Sequence, residues 1–289
     1  ALADNPYAGS WGSGGNLNTA RLGAAGNGTQ TAALAISGSV PPPSANVEQY
    51  NGSSWTEIAN VNTIRSTGAA SGTTTSGLFF GGNVPPNSAN TETWDGSSWT
   101  EVNDMNTARR NVAGNGTQTA SLVMGGNYDP SARALNESWN GSSWTEVNDL
   151  NTARTALYSV GTTTAALGFG GRPNTGVTEL WNGTSWTEVS DLNQPRGQLG
   201  GAGISTSAVA YGGSTAPTAG SYAQTESWDG SAWTEVNDMA TARSMISASG
   251  ASSSSALAAG GTLDGGSNQP AETEEWSFSG VQPTDAASY

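Results

Sequence analysis

One block of eight residues dominates this chain. Trp94-Asp95-Gly96-Ser97-Ser98-Trp99-Thr100-Glu101 returns as Trp139 to Glu146, Trp181 to Glu188 and Trp228 to Glu235, and once more from Tyr50 to Glu57 with Tyr in the first place. Ten residues after each second Trp (Trp55, Trp99, Trp144, Trp186, Trp233) stands an arginine: Arg65, Arg109, Arg154, Arg196 and Arg243. Counted from Arg21, the arginines are 44, 44, 45, 42 and 47 residues apart. A glycine pair (Gly81-Gly82, Gly125-Gly126, Gly170-Gly171, Gly212-Gly213, Gly260-Gly261) marks each unit, and the first unit has Ser37-Gly38 there instead. Fixed-period self-similarity of this kind signals a repeat architecture.

The two ends complete the count. The N-terminal part carries Trp11 and Arg21 with no first-type aromatic before them, and the C-terminal part carries Trp276 with no second-type Trp after it. The halves complement each other, so the chain holds six units, one shared between its ends. A closed ring explains that split, whereas an open stack does not.

Each unit reads as four short strands. Strand a follows the arginine, as in Ala153 to Tyr158, and strand b ends in the glycine pair, as in Ala165 to Gly171. Strand c ends at the first Trp and strand d holds the second. The c–d link is Asn-Gly or Asp-Gly, residues that tolerate positive φ and mark tight hairpins. Four antiparallel strands per unit, six units and a shared last unit predict an all-β fold, a six-bladed β-propeller over residues 8–280. Blades start near residues 21, 65, 109, 154, 196 and 243, the outer strand of the last blade comes from 8–14, and 1–7 and 281–289 are tails. Closure hides sheet edges that would otherwise template aggregation.

Arginine, glycine pair, aromatic, then Trp-Thr-Glu resembles the kelch repeat of galactose-oxidase-like propellers. The resemblance spans nearly the whole chain. It departs at Ser37-Gly38 and at Gly12-Ser13, which follow Trp11 where Thr-Glu is the pattern. The regular Asn-Gly-Ser-Ser-Trp-Thr-Glu runs are also similar to repeats in virion proteins of marine bacteriophages. Galactose oxidase activity is not implied, because its copper site needs His ligands and a Cys-linked Tyr, and this chain has no His and no Cys.

Composition narrows the function further. Charged residues are 11%, against about 25% in an ordinary domain. All nine basic side chains are arginine, and the net charge of −14 argues against nucleic acid and anionic lipid as partners. The absence of Cys removes thiolate chemistry and disulfides, and the absence of His removes the commonest general base. No stretch approaches the ~20 apolar residues of a helical membrane span, and no signal-peptide pattern is visible. The first residue is Ala, which fits a processed chain.

The repeated residues read as scaffold. A ligand site would use one or two tryptophans, whereas these recur in every unit, where large aromatics supply apolar area between blades. The arginines likewise recur in each unit, unlike the non-equivalent arginine cluster of propeller sialidases. Each guanidinium is expected to satisfy loop carbonyls or a repeat glutamate such as Glu101 or Glu146. Ser227 to Trp233 is one residue short of the sialidase Asp-box. The sequons at Asn51, Asn140 and Asn182 alternate with Asp95 and Asp229 elsewhere, which fits a turn and not a glycan acceptor. Asn16, Asn60, Asp104, Asp149, Asp191 and Asp238 are expected to open the d–a loops as Asx-turns, with a Ca²⁺ site as the alternative. The segments assigned to the central channel, such as Leu22 to Ala25 and Gly197 to Gly200, are small and hold no carboxylate, with Arg110 and Tyr158 as the main polar exceptions. No catalytic residue, cofactor or metal is therefore expected.

What varies between repeats is where function can reside. The b–c loops differ most: 39–49, 83–93, 127–138, 172–180, 214–227 and 262–275. They carry Tyr128, Arg133, Arg172, Tyr222 and Asp264, the candidate binding residues, and Tyr and Arg are favoured interface anchors. The expectation is a non-enzymatic binding or structural propeller at a virion surface or outside the cell. Its partners would be other virion proteins or a host-surface glycan or protein, and oligomers would be compatible with it. A secreted lectin or carbohydrate-active enzyme using the same face is the alternative.

Overall fold

The computed structural model describes residues 9–40, 42–85, 87–128, 131–173, 175–215 and 220–278. Among them lie six four-stranded antiparallel sheets arranged as a six-bladed β-propeller. Blade 1 comprises Ala25–Gly28, Ala33–Ile36, Val47–Tyr50 and Trp55–Ile58, and blade 2 comprises Ala69–Gly72, Gly77–Phe80, Thr91–Trp94 and Trp99–Val102. Blades 3 and 4 start with Ala113–Gly116 and Tyr158–Gly161, and blade 5 with Gly200–Ile204. In the sixth sheet Ser247–Ser252, Ser255–Ala259 and Thr273–Ser277 are followed in space by Ser10–Ser13, with Trp11 opposite Trp276. A two-stranded hairpin, Asn127–Tyr128 with Ser131–Ala132, adds to the b–c loop of blade 3.

Strand a starts later than its apolar sequence suggests. In blade 4 it covers Tyr158–Gly161, not the run from Ala153. Ala156 explains the shift: its φ of 55° is left-handed and interrupts any extended run. Gly23, Thr67, Asn111, Gln198 and Met245 hold the same conformation at the equivalent points of the other blades. Such a φ costs a residue with a side chain about 1 kcal/mol. What holds it is a closed belt of backbone bonds. The N–H of Thr67 donates to the carbonyl of Gly23, Asn111 to Thr67, Ala156 to Asn111, Gln198 to Ala156, Met245 to Gln198, and Gly23 to Met245, at 2.8–2.9 Å.

The core is divided among the blade interfaces, with one apolar cluster in each. Leu34, Ile36 and Val47 of blade 1, for example, pack on Phe79, Trp94 and Trp99 of blade 2. The second-type tryptophans of blades 1–5 are 5–6% exposed, and Trp11 of the last blade is partly buried. Several reach the preceding blade through the indole N–H: Trp144 donates to Thr91 Oγ1 and Trp233 to Thr178 Oγ1. The first-type tryptophans bond instead to the a–b turn of their own blade, as Trp94 does to the Thr74 carbonyl.

The arginines form a second, polar layer. All six are fully buried, and each pairs with a strand c glutamate: Arg21 with Glu48, Arg65 with Glu92 at 2.6 Å, Arg109 with Glu137, Arg154 with Glu179, Arg196 with Glu226, and Arg243 with Glu274. Glu101 and Glu146, on strand d, are exposed and hold no such bond. The expectation that those glutamates serve is therefore corrected. Glu92 stands directly opposite Glu101, so both lie on one sheet face, and only the more axial of the two lies in the dry layer. Each strand c carboxylate is saturated further; Glu92 Oε2 accepts from the Asn62 backbone and side-chain N–H groups at 2.7 and 2.9 Å. Burial pushes the arginines below their usual pKa, and the paired glutamate opposes that shift.

The glycine pair is required where strand b turns away. A Cβ on Gly125, at φ 63°, would stand 2.6 Å from the Arg154 carbonyl. Ser37 takes the same position in blade 1 at φ 59°, and its hydroxyl bonds to the carbonyls of Ser44 and Arg65. That local bonding supports a left-handed serine where the other units have glycine.

Candidate functional site

Strand direction alternates within each blade, so the b–c and d–a loops share one end of the ring and the tight turns share the other. The turn reading of the sequons matches the geometry. Asn51 Oδ1 accepts the N–H groups of Ser53 and Ser54, and Asp95 Oδ1 does the same for Ser97 and Ser98. The Ser97 hydroxyl, which also donates to Asp95 Oδ1 at 2.8 Å, and those N–H bonds pull the exposed Asp95 carboxyl down to about 2.

The d–a aspartates are not Asx-turns. Asp104, Asp149, Asp191 and Asp238 each accept the N–H of the first strand c residue (Thr91, Asn136, Thr178, Thr225) thirteen positions earlier. They tie the loop across to the start of strand c. Among the described residues no group of three acidic side chains gathers as a metal cage would require.

The five candidate binding residues are spread over four blades, with Tyr128 and Arg133 both in the b–c loop of blade 3. The side chain of Tyr128 lies outside the described residues. Arg133 and Tyr222 hold equivalent places in blades 3 and 5. The N–H of each donates to the second glycine of its pair, and the carbonyl of each accepts from the next scaffold arginine, Arg154 or Arg243. One backbone socket therefore presents different side chains in different blades. Arg133 and Asp149 line a recess of about 390 Å³. Tyr222 Oη lies 3.3 Å from Thr215 Oγ1. Asp264 organises its own loop: Oδ2 accepts the Ser267 hydroxyl at 2.7 Å and Oδ1 accepts the N–H groups of Gly266, Ser267 and Asn268, which together drive its pKa far down.

Arg172 differs from the scaffold arginines. Its Nη2 donates to Gln198 Oε1 at 2.7 Å and to Ser214 Oγ at 2.9 Å, both neutral. Its Nε is buried with no partner. Burial alone lowers its pKa, with no carboxylate acting on it.

Gln198 also belongs to the backbone belt, which circles the channel mouth at the loop end. Below the belt lies a cavity of about 110 Å³, walled by Ala24, Ala69, Val112, Leu157, Leu199 and Ile246. Tyr158 closes it: the ring projects from blade 4 and its hydroxyl donates to the Ala248 carbonyl of blade 6 at 3.2 Å. Blade 5 between them has Gly200 and Gly201, and a Cβ on Gly201 would come 2.9 Å from the Tyr158 ring. Beyond Tyr158 a second chamber of about 240 Å³, bordered by Asn27, Ser71, Asn115 and Ser249, opens toward the other end. Desolvation holds the Tyr158 phenol protonated far above neutral pH. Sequence reasoning marked Tyr158 as unusual but did not place it in a site. The signal was there, because the equivalent residues of blades 1–3 are Ala25, Ala69 and Ala113.

Comparison with known proteins informs the fold. No family model and no curated protein matches the sequence. The structure matches 406 solved chains. One is YjhT, at a TM-score of 0.73 over 90% of this chain and 96% of that one, with 10% identity. At that identity the likeness establishes a shared six-bladed architecture, and propellers of one architecture serve many roles.

Proposed function

We propose that this chain is a non-enzymatic kelch-type propeller that works as a recognition or structural component of a phage virion surface, engaging its partner through the b–c loop end. The repeat pattern supports the kelch assignment, and the Asn-Gly-Ser-Ser-Trp-Thr-Glu runs support the virion setting. The observation that carries the binding-face reading is the division among nine arginines. Six are locked onto glutamates inside the blades, while Arg110, Arg133 and Arg172 all stand at the loop end. On a chain of net charge −14, those three place positive charge at the loop end, outside the blade interiors.

The test is biochemical. The purified chain should copurify with capsid or tail proteins of its phage, release no sugars from polysaccharides, and lose partner binding when Arg133 and Tyr222 are both changed to Ala. Glycan-array binding that disappears in the Tyr222→Ala variant would replace this reading with a lectin. Partner binding unchanged in the double variant would move the interface off the loop end.

A further inference from the structure

We infer that the axial cup above Tyr158 is a ligand site for a compact branched alkyl group carried by a small carboxylate, with Arg172 as the counter-charge. This deepens the loop-end reading and rests on it only for the end of the ring that meets the ligand.

Three observations carry it. The first is the cup itself. An axial channel lined by small residues would run through the ring, yet Tyr158 interrupts it where three blades have alanine, and gives the loop-end half an apolar floor. A dry apolar cavity of about 150 Å³ holds a benzene ring. A cup of about 110 Å³ suits four or five carbons.

The second is the rim. Five residues with side chains sit in left-handed geometry around the mouth, each held by a belt bond. Thr67, Asn111 and Gln198 put amide and hydroxyl groups there, so an apolar group can enter while its polar end stays bonded.

The third is Arg172. Gln198 is shared between rim and guanidinium, so the cation stands one side chain from the cup. Two neutral acceptors fix its orientation, and no carboxylate of the described residues pairs with it, unlike all six scaffold arginines. A pre-oriented guanidinium without a counter-ion favours a carboxylate, whose two oxygens match the guanidinium fork.

The probes are 3-methylbutanoate and 3-methylbutan-1-ol, titrated into the full isotope-labelled chain and followed by NMR at Leu157, Leu199 and Ile246. The acid should give saturable shifts there, and the alcohol should bind about tenfold more weakly, the loss of one charge-assisted contact. Arg172→Gln should bring the acid down to the alcohol's affinity and leave the alcohol unchanged. Gln198→Glu, which supplies Arg172 with an internal partner, should do the same. Tyr158→Ala restores the residue of blades 1–3 and should weaken both probes at least about fivefold by removing the floor; intact belt amide signals show that it is folded. Absence of saturable shifts, equal affinity for acid and alcohol, or indifference to Tyr158→Ala overturns the proposal. Failure of virion copurification with these shifts intact would sink the larger reading and leave the cup standing.

Discussion

Arg65 and Arg172 show what position does to one side chain. Arg65 lies between blades, fully buried, with Glu92 at 2.6 Å and the Phe79 ring 4.0 Å from its guanidinium carbon. Arg172 lies at the channel mouth, bonded to an amide and a hydroxyl. The first arrangement recurs six times and leaves nothing for a ligand. The second leaves Arg172 with no carboxylate partner among the described residues. In a repeat protein the residues that recur are those the ring needs, and departures from the pattern are where chemistry can be added at little structural cost.

That contrast breaks most easily at the carboxylate. Glu92→Ala should destabilise the chain by about 3–5 kcal/mol, because Arg65 would remain buried and unpaired. Arg172→Ala should cost only about 1–2 kcal/mol, the loss of its bonds to Gln198 and Ser214 with no buried charge left unpaired. Urea unfolding of the two variants measures the gap, and equal losses would erase the distinction between scaffold and mouth.

A second test uses alkali. Tyr50 stands where other blades have the first Trp, and burial and its bond to Glu275 push its phenol up to about 12 from the ordinary 10.0. The folded state thus holds this proton more tightly than the unfolded chain does. The associated stability is present below pH 10 and declines as the pH rises from about 10 through about 12. Urea midpoints across that window should fall, and Tyr50→Phe should flatten the fall. A slope unchanged in that variant would show that other scaffold groups carry it.

Smaller effects sharpen the picture of the scaffold itself. Trp186 breaks the indole pattern: its N–H is buried without a partner, and so is the Asn136 side-chain oxygen on blade 3, where blades 2 and 4 offer Thr91 and Thr178. Asn136→Thr should restore the bond and raise stability by about 1 kcal/mol. A thermal melt that does not move would show that the asparagine has another role. Smallest of all, Ala156→Gly should relieve left-handed strain at the belt and gain a few tenths of a kcal/mol after the entropy of glycine is subtracted. A loss there would mean that the methyl group packs usefully at the cup.

Much of the ring was legible in the chain. The second-type Trp, the arginine ten residues on, the glycine pair and the Asn-Gly or Asp-Gly turns are local signals, and each maps to one strand or one hairpin. Less legible was the choice between Glu92 and Glu101. Both occupy regular positions, and their cross-strand pairing puts them on one face, so depth within the sheet decides which meets the arginine. The start of strand a was hidden for a similar reason. Nothing in Arg154-Thr155-Ala156-Leu157 announces a left-handed alanine, because its conformation is set by a bond to Asn111 on the neighbouring blade.

Sequence alone determined the number of blades and the division between repeated and variable residues, since both follow from period and turn chemistry. Tertiary structure decided which carboxylates the arginines meet, how the mouth is belted, and that Tyr158 turns a channel into a cup. Those depend on contacts between residues far apart in the chain, from 25 positions for Arg154 and Glu179 to 90 for Tyr158 and Ala248, and across the two ends for Gly23 and Met245, whose closeness no local pattern encodes.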